Sequence, residues 1–96
     1  AIDIPFETAE KCYRVIELAE VLVEKGNPNS VSDAGVAAEV ALAGVRGASM
    51  NVLINLPGVD DQFFCDEKRK AVDELIQKAE AKHKDVFTKT LEVIER

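Results

Sequence analysis

The stretch Ser30–Leu56, SVSDAGVAAEVALAGVRGASMNVLINL, decides the fold. At about 100° per residue it predicts a helix with one narrow stripe that is polar at both ends and built of small residues between them. The stripe consists of Ser30, Asp33, Ala37, Ala41, Gly44, Ala48, Asn51 and Asn55. The rest of the circumference is mostly apolar, with charges at Glu39 and Arg46. Because a helix that is apolar almost all round must be buried, we expect this segment to be the central rod of a helical assembly.

The same stretch is long enough to span a membrane, but its polar residues argue against that. Arg46, Asn51 and Asn55 would lie at hydrocarbon depth, and a central Arg alone is unfavourable by about 2.5–3.5 kcal/mol. Residues 1–6 show no signal-peptide pattern, since they have neither a basic region nor an apolar core. We therefore expect no membrane partner.

Composition limits the function classes further. A chain of 96 residues makes one domain with a modest core. Its net charge of −6 argues against nucleic acid, which is bound through clusters of Lys and Arg. Cys12 and Cys65 stand alone, as in a reducing, cytoplasmic environment, and are expected to be small buried apolar residues.

The flanking segments predict two more helices. Apolar residues recur at helical spacing before Gly26 and after Asp60, and the four residues from Gly26 to Asn29 stop one helix and start the next. Asp60 is the expected N-cap of the third helix. The sequence therefore predicts an all-α bundle of three long helices, at about 4–25, 30–56 and 61–95, in a single helical unit covering 1–96. The third helix is longer than three-helix closure requires, so part of it is expected to project and dock elsewhere.

Each polar residue of the rod can be interpreted as structural or as functional. Asp33 lies three residues after Ser30 and fits a capping box, although a binding role stays open. Asn51 and Asn55 need partners for their amides, from a neighbouring helix, a buried water or a ligand. Arg46 needs a partner on another helix or chain.

Two further features have the same ambiguity. The small stripe suits either close helix packing or a cofactor lying flat against it. His83, without a second His beside it, is expected to be structural rather than a metal ligand. No phosphate-binding loop, activated nucleophile or metal-ligand cluster is evident, so the residues alone show no complete active site.

Two motifs resemble a known family. GNPNSVSDAGVA at 26–37 and RGASMNVLINLP at 46–57 are closely similar to the cyclodeaminase and methenyltetrahydrofolate cyclohydrolase family, whose domain forms the second half of formiminotransferase-cyclodeaminase. The segment IPFETAE at 4–10 also resembles the family, whereas the third helix is similar only in type and position.

The resemblance implies an all-α, usually dimeric fold that acts on one-carbon forms of tetrahydrofolate. Members eliminate ammonia from 5-formiminotetrahydrofolate, a step of histidine degradation, or hydrate 5,10-methenyltetrahydrofolate to the 10-formyl form. It implies substrate binding by Asp33, Arg46, Asn51 and Asn55, a tetrahydrofolate derivative as substrate, and no metal or permanently bound cofactor.

Family domains are about twice this length, and their upstream half has a Gly-rich helix start and an acidic proton carrier that this sequence lacks. The resemblance therefore implies that the chain is the C-terminal half of such a domain and that its catalytic residue, unknown here, lies upstream of Ala1. Alone, the chain is expected to be inactive, with a homodimer or the N-terminal half as partner. The alternative is a non-catalytic helical oligomerisation module.

Overall fold

A computed structural model describes residues 2–96, which form three α-helices, one short 3-10 helix and no strand. Helix α1 is Asp3–Glu24, α2 is Val31–Asn55 and α3 is Gln62–Ile94, and the 3-10 helix Leu56–Gly58 follows α2 directly. The all-α prediction is confirmed, and each predicted helix boundary differs from the observed one by a single residue.

The turn between α1 and α2 ends α1 as the sequence predicts but begins α2 without the predicted capping box. Gly26 has φ of +68° and donates its N–H to the Val23 carbonyl at 2.9 Å, which ends α1 in the left-handed conformation that glycine favours. Ser30 is the N-cap of α2, but its side chain makes no cap bond and its N–H donates to the Asn27 carbonyl at 3.1 Å. The predicted capping box with Asp33 is therefore wrong, because another carbonyl already takes the N–H that Asp33 would accept.

The junction before α3 is tied down by two side chains. The N-cap is Asp61 rather than the predicted Asp60, and its carboxylate accepts the Phe64 N–H at 3.0 Å. The buried Cys65 thiol lies 3.5 Å from the Leu56 carbonyl and 3.7 Å from the Val59 carbonyl. This thiol holds the turn against α3, and the expectation that Cys65 is a buried structural residue is confirmed.

The core follows the length of the bundle in two clusters. A long cluster joins all three helices. A smaller one, made of Ile2, Val52, Leu56, Cys65 and Val72, closes the end where α2 meets the 3-10 helix. Helix α3 packs along its whole length, since its buried residues run from Cys65 to Val93. The expectation that α3 projects is wrong, because its length of roughly 50 Å matches the 54 Å long axis of the molecule.

Helix α2 is buried on one side and exposed on the other. Its buried side consists of Val31, Ala34, Gly35, Ala38, Ala41, Leu42, Val45, Ala48, Ser49 and Val52. On the opposite side Val36, Val40, Met50 and Ile54 are 61–77% exposed. The two neighbouring helices cover only part of the α2 circumference, so burial of the predicted central rod on all sides would need neighbours that this chain does not provide. By length and composition alone, Val31–Gly58 is also sufficient to cross a membrane, and 39% of the apolar window is buried inside the fold.

Close helix packing occurs at two glycines of α2. A Cβ on Gly44 would lie 2.5 Å from the Cys12 sulfur of α1, and a Cβ on Gly35 would lie 2.6 Å from the Cγ2 atom of Thr90 in α3. A Cβ on Gly47 would meet nothing within 4 Å. The packing interpretation of the small stripe therefore holds at Gly44, whereas the contact at Gly35 lies outside that stripe.

Candidate functional site

The structure separates the four predicted site residues into three places. Asp33 lies exposed in the first turn of α2, Asn51 and Asn55 lie exposed in the last turns, and Arg46 lies on the side that faces α3. Asp33 and Asn51 are 18 residues apart, which is about 27 Å along a helix. One chain therefore does not bring these side chains to a common point.

Arg46 is held in an ion pair between helices. Its guanidinium donates to one carboxylate oxygen of Glu80, from Nη2 at 2.6 Å and from Nε at 3.2 Å. The prediction that Arg46 needs a partner on another helix is confirmed. Because this pair occupies the guanidinium, Arg46 positions α3 against α2 in this chain.

Two other polar contacts support the same packing. His83 of α3 contacts the carboxylate of Glu39 and stacks on Phe87, with ring centroids 6.1 Å apart, so the structural interpretation of His83 is confirmed. Lys82 donates to Glu20 of α1 at 3.0 Å. This hydrogen bond raises the pKa of Lys82 above its ordinary 10.5, although burial acts in the opposite direction.

Asn55 lies at a recess where the C-terminal end of α2 meets the N-terminal end of α1. Its amide nitrogen donates to the Asn51 carbonyl at 2.7 Å, which leaves its amide oxygen able to accept. The recess has a volume of about 410 Å³ and is lined by Ile2, Asp3, Asn55, Gly58, Val59 and Phe64. That volume is within the range of small-molecule sites, and the lining combines apolar walls with one carboxylate and one amide.

A basic side chain stands beside this recess. The Lys68 ammonium lies 4.3 Å from the Phe6 ring centroid and 5.5 Å from that of Phe64, one of the lining residues. These cation–π contacts hold the Phe64 ring and place a positive charge next to the recess. A second recess of about 320 Å³ between α1 and α3, lined by Glu20, Val23, Glu24, Asp85, Val86 and Lys89, contains none of the predicted residues.

Sequence reasoning missed Asp3, Val59 and Phe64 as companions of Asn55. Their meeting depends on the antiparallel pairing of α1 with α2, which brings the start of one helix to the end of the other. The short turn at Gly26 contained that signal, since helices joined by a few residues run antiparallel. Within residues 2–96 no three His, Cys, Asp or Glu side chains form a group that could hold a metal ion.

Comparison with known proteins shows which family this chain resembles over most of its length. The family profile described as Formiminotransferase-cyclodeaminase matches residues 1–74, which include α1, α2, the recess and Lys68. A methenyltetrahydrofolate cyclohydrolase of Methylorubrum extorquens is 42% identical over 87 residues, covering 91% of this chain and 42% of that protein. The formimidoyltransferase-cyclodeaminase of Rattus norvegicus is 35% identical over 79 residues, covering 82% of this chain and 15% of that protein.

The chain spans less than half of the length of these curated relatives. The part of α3 from Leu75 onward lies outside the residues that the family profile matches. On the matched three quarters of its length, this chain belongs to the formiminotransferase-cyclodeaminase family.

Proposed function

We propose that the chain supplies part of a tetrahydrofolate-binding site used in one-carbon chemistry, either cyclodeamination of the 5-formimino form or hydration of the 5,10-methenyl form. The observation that carries the proposal is the recess at Asn55. It lies wholly inside the residues that match the family, and its carboxylate and amide suit the donors and acceptors on the edge of a pterin ring.

The chemistry needs proton transfer that these residues do not complete. In cyclodeamination N10 bonds to the formimino carbon and ammonia leaves, whereas in hydration water adds to the methenyl carbon and its bond to N5 breaks. Both reactions require a general acid and base placed within hydrogen-bond distance of the reacting atoms. We assign no catalytic residue, and propose that another polypeptide, either a second copy or the remainder of the domain, completes the site.

The test uses the Methylorubrum extorquens cyclohydrolase, whose match covers 91% of this chain. The segment of the Methylorubrum extorquens cyclohydrolase that this chain does not match is mixed with the chain, and absorbance of 5,10-methenyltetrahydrofolate is followed. We expect the mixture to consume the methenyl form faster than either part alone. The Asn55→Ala variant is expected to weaken this activity mainly through KM, because Asn55 binds substrate.

The matched control is Gln77→Ala, an exposed polar substitution on α3 away from the recess. It should leave the rate of the mixture unchanged. If the mixture forms a complex but consumes substrate no faster than background, the proposed activity is wrong. If Asn55→Ala has no effect on KM, the assignment of the recess is wrong.

A non-catalytic assembly role is the second candidate, and the exposed apolar side of α2 is the observation that favours it. Substrate binding distinguishes the two candidate functions, since an assembly module would not bind 5,10-methenyltetrahydrofolate in any oligomeric state.

A further inference from the structure

The Cys65 thiol lies between α3 and the turn that connects α2 to it. Its sulfur is 3.5 Å from the carbonyl oxygen of Leu56 and 3.7 Å from that of Val59, at the two ends of this turn. Among the hydrogen bonds within residues 2–96, these two are the only ones that join the turn to α3. Because Cys65 is 3% exposed and belongs to the small core cluster, water does not compete for either contact.

The residues that this thiol holds together also line the recess at Asn55. The recess is lined by Ile2, Asp3, Asn55, Gly58, Val59 and Phe64. Gly58 and Val59 belong to the turn, Asn55 directly precedes it, and Phe64 directly precedes Cys65. Four of the six lining residues are therefore at most one residue away from the thiol or from a carbonyl that it contacts.

The turn is open on the side of the recess. A Cβ on Gly58 would meet nothing within 4 Å, and Gly58 is itself exposed. The turn is thus held on its α3 side and free on its recess side. A ligand in the recess would contact the turn from the free side, so the thiol and the ligand would hold the same segment from opposite directions.

We propose that Cys65 is a positioning residue of the recess: its thiol sets the position of Asn55 and Val59 for the pterin, and ligand binding in turn keeps the thiol buried. The inference rests on the proposed function, which supplies the ligand. A turn that moved away from α3 would expose the sulfur and change the shape of the recess, so a ligand that fits the closed recess favours the closed state. Because this coupling is reciprocal, a change that frees the turn weakens ligand binding.

The first test measures kinetics in the mixture with the unmatched segment of the Methylorubrum extorquens cyclohydrolase. Cys65→Ala removes the sulfur and both of its contacts. We expect the KM for 5,10-methenyltetrahydrofolate to rise roughly fivefold, the lower end of measured couplings between sites, with little change in kcat. Cys65→Ser keeps a hydrogen-bond donor and should recover part of the affinity.

The matched control for this test is the same substitution at the other cysteine. Cys12→Ala removes a sulfur that lies against Gly44, away from the recess, and should leave KM unchanged. A purely structural role of Cys65 would lower the melting temperature of Cys65→Ala without changing KM at temperatures well below the melt.

The second test needs no substitution and follows alkylation of both thiols by N-ethylmaleimide, read by mass spectrometry. A buried thiol is inert until a local opening exposes it. The mixture is labelled with and without 5-formyltetrahydrofolate, a stable analogue of the substrate. At a ligand concentration a hundred times its Kd we expect labelling of Cys65 to slow by roughly 100-fold. The half-buried Cys12 is the internal control and should react at nearly the same rate in both samples.

The outcomes separate this inference from the proposed function. An active mixture in which Cys65→Ala leaves KM unchanged would refute the inference alone, as would a bound ligand that protects both thiols equally or protects neither. If Cys65→Ala does not fold, the labelling of the unsubstituted chain decides. A mixture that forms but neither consumes the methenyl form nor binds the analogue would refute the proposed function, and the inference with it.

Discussion

A Cβ on Gly44 of α2 would overlap Cys12 of α1, whereas a Cβ on Gly47, one turn later, would face open space. Both glycines lie in the interior of α2 but have different surroundings, so substitutions at the two positions separate the packing effect of a side chain from its helix propensity. Ser49 lies between Gly47 and the C-terminal end of α2. Its hydroxyl is buried and has no hydrogen-bond partner among the described residues.

We expect Gly44→Leu to destabilise the fold by about 3 kcal/mol, because the new side chain would overlap the Cys12 sulfur and force α1 away. Gly47→Leu is the matched control and should stabilise the monomer by up to about 1 kcal/mol, the difference in helix propensity. Both are measured by urea denaturation in dilute solution. Equal stabilities for the two variants would contradict the close approach at Gly44.

The polar contacts between helices include single ion pairs, and the pair between Lys82 and Glu20 gives a pH-dependent prediction. Its hydrogen bond raises the folded-state pKa of Lys82 above 10.5. The pair therefore stabilises the fold at pH values below the unfolded-state pKa, and this contribution is lost as the pH rises through the folded-state pKa.

The prediction is tested by comparing melting temperatures of the unsubstituted chain and Glu20→Gln across alkaline pH. The difference between them should be present near neutral pH and disappear in strongly alkaline solution. Glu80→Gln is the matched control, because its partner Arg46 stays protonated throughout and the small effect of its loss should persist. A Glu20→Gln effect that does not change with pH would refute the assignment.

The sequence predicts the bounds of the helices more completely than it predicts the neighbours of the candidate site residues. Apolar spacing, Gly26 and the Pro28 turn are local signals, so the three helices were predicted almost to the residue. The partner of Arg46 and the neighbours of Asn55 could not be predicted, because they depend on how α3 and α1 slide and rotate against α2. The extent to which this chain leaves α2 exposed could not be predicted for a related reason, since the composition of the helix says that it is apolar without saying how many neighbours cover it.

For the molecule as a whole, the balance between covered and exposed apolar surface is unusual for a small domain. The bundle is elongated, with extents of 54 × 17 × 15 Å, so each helix exposes a large part of its surface. A partner on the exposed side of α2 would bury much of the apolar surface of Val36, Val40, Met50 and Ile54. If the folded chain associates through this surface and the unfolded chain does not, association stabilises the fold by an amount that grows with the logarithm of protein concentration.

We therefore expect the melting temperature to rise with protein concentration across a wide dilution series. Val40→Glu should melt at one temperature regardless of concentration, while Ile94→Glu should behave like the unsubstituted chain. The measurement is differential scanning calorimetry. A melting temperature of the unsubstituted chain that is independent of concentration would contradict the coupling of folding to association.

The short turn at Gly26 also determines the order in which the structure assembles. Contacts between α1 and α2 join residues that are close in sequence, so forming this helical hairpin closes only a small loop and loses little chain entropy. We expect the hairpin to be the folding nucleus and α3 to dock on it later. A chain emerging from the ribosome would then display its most apolar surfaces before its third helix has been synthesised.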